Sequence, residues 1–300
     1  MKKLLFSGLL TVFLFNAQLL SARPLKVFVS ILPQKYFVEK IGGDQLEIGV
    51  MVQPGANPAV YEPKPQQMVA LAEAQVYFTI GVPFEERWLA KIAATHSAMK
   101  IVHTEAGIEK MAIQSHREHT LGSRKKGGEQ ENRQPHGFIL DPHIWLSPPL
   151  VMLQARNILD GLLAVAGTHR AMFEANYRTF IMEIVDLDLE LKEIFDSAGN
   201  RSEFMVFHPS WGYFASTYGL KQVPIEVEGK EPKPGELQRL IQCGKERGIR
   251  VVFVQPQFSL KAAQTIAESL GGQIALVDPL AHDWANNLRQ VATKFRSALR

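Results

Sequence analysis

Short apolar runs alternate with stretches of helical period along most of this chain. From Leu25 the pattern predicts strands at Lys26 to Ile31, Gln45 to Val52, Val76 to Ile80 and Lys100 to His103, with helices at Gln34 to Ile41, Pro65 to Ala74 and Phe84 to Ala94 between them. The alternation returns after residue 200, with strands at Glu203 to Phe207, Gln222 to Val227, Arg250 to Val254 and Gln273 to Val277. Helices at Trp211 to Tyr218, Pro234 to Arg247, Ser259 to Leu270 and from Asp283 onward separate these strands. Strands joined by helix-length connections predict mostly parallel sheets with helices on their faces.

The two halves are joined by a helical region from Ser147 to about Ser197, with a possible break at Gly167. Phe173, Tyr177, Phe180, Ile184, Leu187, Leu191 and Ile194 recur at alternating spacings of four and three, one apolar stripe on a long helix. At 1.5 Å per residue, about 30 residues reach about 45 Å, enough to run along two lobes as a spine. The expected architecture is α/β: two lobes, each a mostly parallel sheet flanked by helices, joined by that spine. The expected division is an N-terminal lobe at 23–150, connecting helices at 151–198 and a C-terminal lobe at 199–300. Between Gln114 and His136 the periodicity vanishes in a segment rich in Gly, Lys, Arg, Glu and His, which reads as an exposed mobile loop.

The first residues carry a different pattern. Lys2 and Lys3, the apolar stretch Leu4 to Phe15 and the small residues Ser21 and Ala22 have the layout of a secretory signal peptide, with cleavage expected near Ala22. No other apolar run approaches the roughly 20 residues of a membrane-spanning helix, so stable membrane insertion is not expected. The only cysteine, Cys243, is remote from the cleavage point, so neither a lipid anchor nor an internal disulfide is expected. A free, exported protein of this kind is expected in a periplasm, as a monomer.

Composition narrows the reading further. Some 46% of residues are hydrophobic, ample for two cores. Removing Lys2 and Lys3 leaves 31 basic against 30 acidic residues, a net charge of about +1 instead of +3, which gives no support for nucleic-acid binding.

Four segments fall where loops would face a crevice between the lobes: PGANPAVYEPKP (54–65), DPHIWLSP (141–148), FHPSWGYFASTYGL (207–220) and VDPLAHDW (277–284). Open α/β sheets bind ligands beyond the carboxyl ends of their strands. His143, His208 and Asp278 are the natural metal ligands there, because imidazole nitrogen and carboxylate oxygen suit zinc and its neighbours. Each has a plainer reading, since Asp-Pro and His-Pro pairs commonly start turns or end strands. Spacings of 65 and 70 residues form no local motif.

The order of PGANP-x-x-YEPKP, a histidine-containing loop, DPHIWLSP, a spine helix, FHPSWGYFASTYGL, EGKEPKP, VFVQPQFS and VDPLAHDW resembles the zinc and manganese ABC transporter substrate-binding proteins over nearly the whole mature chain. That resemblance implies a binding protein that delivers its metal to an inner-membrane ABC permease, with His143, His208 and Asp278 as second, third and fourth ligands. The family's first histidine falls at Ala59, whose methyl group binds no metal. The fourth position would then go to water, to Glu62, or to a histidine of the loop (His116, His119 or His136). The histidine at 208, where manganese proteins of this family have a carboxylate, points to zinc as cargo, with manganese, iron and nickel still admitted.

Trp145, Trp211, Tyr213 and Phe214 adjoin these ligands and would form an apolar surround or ordinary core. Two other readings remain open. Three ligands and an open position are also the layout of a catalytic zinc hydrolase, but the sequence has neither His-Glu-x-x-His nor Gly-x-Ser-x-Gly. Alternatively Ala59 marks a low-affinity metallochaperone, an adhesin-like protein or a receptor for a chelated metal.

Overall fold

The fold is that of a computed structural model describing residues 24–113, 140–196, 202–226 and 230–299. The expected signal peptide and the loop 114–136 with His116, His119 and His136 lie outside the described residues.

The N-terminal sheet comprises β1 (Leu25–Val29), β2 (Leu46–Val50), β3 (Val76–Thr79) and β4 (Lys100–His103), all parallel, in the order β2-β1-β3-β4. Its helices are α1 (Leu32–Gly42), α2 (Pro65–Leu71) and α3 (Pro83–Thr95). Beyond the connecting helices, β5 (Glu203–Val206), β6 (Lys221–Pro224), β7 (Val251–Val254) and β8 (Gln273–Leu276) repeat the plan in the order β6-β5-β7-β8. There the helices are α6 (Gly212–Thr217), α7 (Pro234–Glu246), α8 (Lys261–Ser269) and α9 (Trp284–Ala298). The central strand β3 (VYFT) is buried along its whole length, because helices cover both faces of its sheet. In each sheet the strand order reverses beside the first strand, and the loop that carries His208 follows β5 at one of these two reversals.

Prolines set many of the helix starts. α1, α2, α3 and α7 each begin with proline in the first two positions, where its missing N–H costs no hydrogen bond.

The connection is two helices rather than one. α4 (Pro148–Val165) gives way to a 3₁₀ turn at Gly167–His169 and then to α5 (Arg170–Asp196), and the chain bends by 117° between them. Ala166, with φ −136° and ψ 48°, leaves the helix just before the glycine. α4 lies back on the N-terminal sheet so closely that a side chain at Gly161 would meet Val102 and Phe78 at 2.9–3.0 Å. α5 alone is the spine, about 40 Å long at 1.5 Å per residue. Of its predicted stripe, Phe173, Phe180, Ile184, Leu187 and Leu191 are buried, joined by Phe195, while Tyr177 and Ile194 are partly covered.

One hydrophobic core runs from the N-terminal sheet through α5 to Phe204, Trp211, Phe214, Phe253 and Phe295 under the C-terminal sheet. A smaller core around Val223, Leu240, Val252 and Ile266 fills that sheet's other face. Because the lobes share a continuous apolar interior, wide hinge opening would expose it to water at about 25 cal/mol per Å². Among the described residues no single helix is long and apolar enough to cross a membrane.

Candidate metal centre

His143 is carried by the Asp141–Pro142 turn. Backbone pairing at its base fixes that turn: Ala112 bridges Leu140, and Asp141 N donates to Met111 O at 2.8 Å. Asp141 Oδ1 then accepts from His143 N at 2.9 Å and lies 2.6 Å from His143 Nδ1. Both residues are buried, Asp141 at 1% exposure and His143 at 8%.

His208 stands just beyond the end of β5. Gln255, past the end of β7, holds it from both sides: its Oε1 accepts from His208 N at 3.2 Å and its Nε2 donates to His208 O at 2.7 Å. The buried Glu226 places Oε1 2.8 Å from His208 Nδ1. Phe258 stacks on the ring at 4.7 Å with the planes 22° apart.

These two mounts converge, bringing the Nε2 atoms of His143 and His208 to 3.4 Å. With each Nδ1 beside a carboxylate, each ring turns its Nε2 to the same space, where a neutral imidazole with its proton on Nδ1 offers a lone pair. Burial pushes the His143 pKa below its ordinary value, outweighing the opposing pull of Asp141, and the nearby His208 adds to the depression. Two facing lone pairs repel unless a cation lies between them. Tetrahedral zinc holds nitrogen at about 2.0–2.1 Å, which sets two nitrogens about 3.3–3.4 Å apart. A carboxylate on the far ring nitrogen is also the arrangement that orients and strengthens a histidine ligand.

The other expected ligands are not gathered in with this pair. Among the described residues no group of three or more His, Cys, Asp or Glu side chains is arranged to hold an ion. Asp278 lines a cavity of about 120 Å³ with Gln53, Pro54, Gly55 and His282, and its Oδ1 accepts from Gln257 Nε2 and Leu280 N, each at 2.9 Å. Two indole hydrogen bonds tie its loop to the His143 segment. Trp145 Nε1 donates to Pro279 O at 2.7 Å, and Trp284 Nε1 donates to Trp145 O at 2.7 Å. Ala59 and Glu62 are exposed on the 54–64 loop, which Arg87 grips through Ala59 O at 3.0 Å.

Of the residues expected to surround the ligands, Trp145 lies 5.1 Å from the His143 ring, while Trp211 and Phe214 pack on Phe295 in the core. Sequence reasoning passed over Asp141, Glu226, Gln255 and Phe258. Asp141 is hidden in an Asp-Pro pair that reads as a turn. A signal for Glu226 does exist: a glutamate at the end of the apolar run QVPIEV has a buried neighbourhood and therefore needs a partner.

The family model of ZnuA, the periplasmic zinc-uptake complex component A, matches residues 27–298. A crystal structure of ZnuA superposes with a TM-score of 0.83 at 42% identity, covering 92% of this chain and 100% of that one. The high-affinity zinc uptake system protein ZnuA of Bacillus subtilis (strain 168) is 26% identical over 266 residues, 85% of this chain and 78% of its own length. The zinc-binding protein AdcA of Streptococcus pyogenes is 27% identical over 290 residues, 93% of this chain but only 56% of its own length, so the chain spans little more than half of that relative. This chain belongs to the ZnuA family of periplasmic zinc-uptake components.

Proposed function

We propose that this chain captures a divalent transition metal outside the cytoplasm, zinc by preference, and delivers it to an ABC importer through that importer's membrane permease. The observation that carries the reading is the 3.4 Å pair of Nε2 atoms, each backed by a buried carboxylate on its far nitrogen. Two imidazoles favour zinc over manganese, which prefers oxygen donors. The family to which the chain belongs takes its name from zinc uptake.

In this reading His143 and His208 are the first contacts of the ion. Asp278, which stands apart from the pair, would supply the third ligand once its loop moves toward the ion, and its charge would offset the cation. The position left open by Ala59 is taken by water, with Glu62 too exposed on its loop to be a fixed ligand. The shared core restricts release to small shifts of one lobe on the other.

Equilibrium dialysis of chelator-stripped protein against zinc and manganese, followed by elemental analysis, tests this. One equivalent of zinc is expected to be retained, in preference to manganese. Retention by a His143→Ala, His208→Ala double variant equal to that of the parent would refute it.

A further inference from the structure

The short helix α6 begins four residues after His208, yet its first two residues touch the mount of the other histidine. Tyr213 Oη accepts a hydrogen bond from Met111 N and donates one to Asp141 O, both at 3.0 Å. It thereby spans the two strands of the Ala112–Leu140 bridge from which Asp141 projects. One residue earlier, a side chain at Gly212 would sit 2.7 Å from Asp141 Oδ2. Glycine is thus the residue that lets this carboxylate lie against α6. Further along, Thr217 Oγ1 lies 2.9 Å from Ser147 Oγ, so α6 runs beside the whole segment from Asp141 to Ser147.

The start of α6 is anchored in the C-terminal lobe. Gln222 of β6, fully buried, accepts from Trp211 N at 3.0 Å and donates to Pro209 O at 3.3 Å. Trp211 and Phe214 pack edge-on against Phe295 of α9. α6 is therefore anchored on β6 and on Phe295 of α9, whereas Asp141 and His143 belong to the turn fixed on the Met111 segment and leading into α4, a turn that Trp284 of α9 also meets through Trp145 O.

We infer that Gly212 and Tyr213 are positioning residues for His143. They seat Asp141 from the opposite lobe, and so make the direction of the His143 Nε2 lone pair depend on how the two lobes sit. The inference rests on the proposed ligand roles of His143 and His208. A small displacement of α6 removes the support behind Asp141, and the bond from Asp141 Oδ1 to His143 Nδ1 then loses its fixed direction. His208 does not share this dependence, because Glu226, Gln255 and Phe258 all come from its own lobe. The result is a release device: a lobe shift too small to open the shared core turns one imidazole off the ion while the other keeps its place.

The test uses the full chain loaded with zinc. Tyr213→Phe keeps the ring and removes only the hydroxyl; Gly212→Ala drives a methyl group at Asp141. Zinc dissociation is followed by a chelator chase, and the hydrogen-bonded Nδ1–H protons of the two histidines are followed by NMR. Loss of an outer partner of a ligand typically costs about 10–100-fold in metal affinity, so about 10-fold faster release is expected for Tyr213→Phe, which acts one step further out. The His143 Nδ1–H signal should move while that of His208 stays. An unchanged His143 signal with unchanged release, or equal movement of both signals, overturns the inference. A parent protein that binds no zinc removes the functional reading itself, whereas a binding parent with an insensitive Tyr213→Phe overturns the positioning role alone.

Discussion

The two histidines present the same atom to the same space, and they are held in opposite ways. His208 is fastened wholly within its own lobe, by Gln255 on its backbone, Glu226 on its Nδ1 and Phe258 on its face. His143 takes its carboxylate from two residues earlier in the chain, and that carboxylate leans on α6 of the other lobe. A rigid mount and a dependent one suit a protein that must both bind and let go. A fully rigid pair would hold the ion against its own transporter, and a fully loose pair would bear the cost of ordering at each capture.

A third buried carboxylate, Glu85, sharpens the contrast because it serves no histidine. It accepts from Ile80 N at 3.0 Å, from Gly81 N at 2.8 Å and from the Ser30 hydroxyl, closing the end of the N-terminal sheet. Burial raises its pKa to about 7 from 4.5, against the pull of those three donors and with some help from Glu105. Since the folded state holds its proton more tightly than the unfolded state, the associated stability is fully present below about 4.5 and is lost as pH rises through about 7. At 1.36 kcal/mol per pKa unit this amounts to about 3 kcal/mol. Denaturant unfolding of the metal-free parent and of Glu85→Gln across that window should show the parent's extra decline, and the two curves should run parallel above it.

Next in size come the carboxylates that do serve histidines. Asp141→Asn and Glu226→Gln are each expected to weaken zinc binding by about 10–100-fold, measured by competition with a chromophoric chelator. The comparison predicts a difference in kind between them. Adding Tyr213→Phe should cost little more in Asp141→Asn, whose seat is already broken, and should keep its full effect in Glu226→Gln. Full additivity in both would dissolve the distinction between the mounts.

Smaller effects address the remaining positions. Ala59→His should tighten zinc binding by about 10-fold if the site is merely short of a ligand, equivalent to about 1.4 kcal/mol. No gain in the same chelator competition would mean that the 54–64 loop, held by Arg87, does not reach the ion. Phe258→Leu removes a stacked ring worth about 0.5–1.5 kcal/mol, and a loss of a few-fold in affinity with unchanged unfolding of the N-terminal lobe is expected.

Much of the scaffold was legible along the chain. Strand runs such as Lys100 to His103 coincide with the structure, and the others end within a few residues, because short β-rich runs bounded by turn residues mark strands. The spine was legible as a stripe at helical spacing, and Gly167 was visible as a weak point. That α4 turns back by 117° there could not be read, because a glycine marks freedom and the packing of Gly161 on Phe78 and Val102 decides how it is used.

For the site, the sequence by itself determined the chemistry on offer: two histidines and an aspartate in loops, His208 and Asp278 beyond predicted strands, and an alanine where a ligand is usual. Only the tertiary structure decided that the two imidazoles meet nitrogen to nitrogen, that Asp141 and Glu226 stand behind them, and that Tyr213 joins one mount to the other lobe. The reason is one of distance along the chain. His143 and His208 lie 65 residues apart and Tyr213 lies 72 from Asp141, and such pairings leave no periodicity to read. They exist only once the sheets have folded and brought their loops to a common crevice.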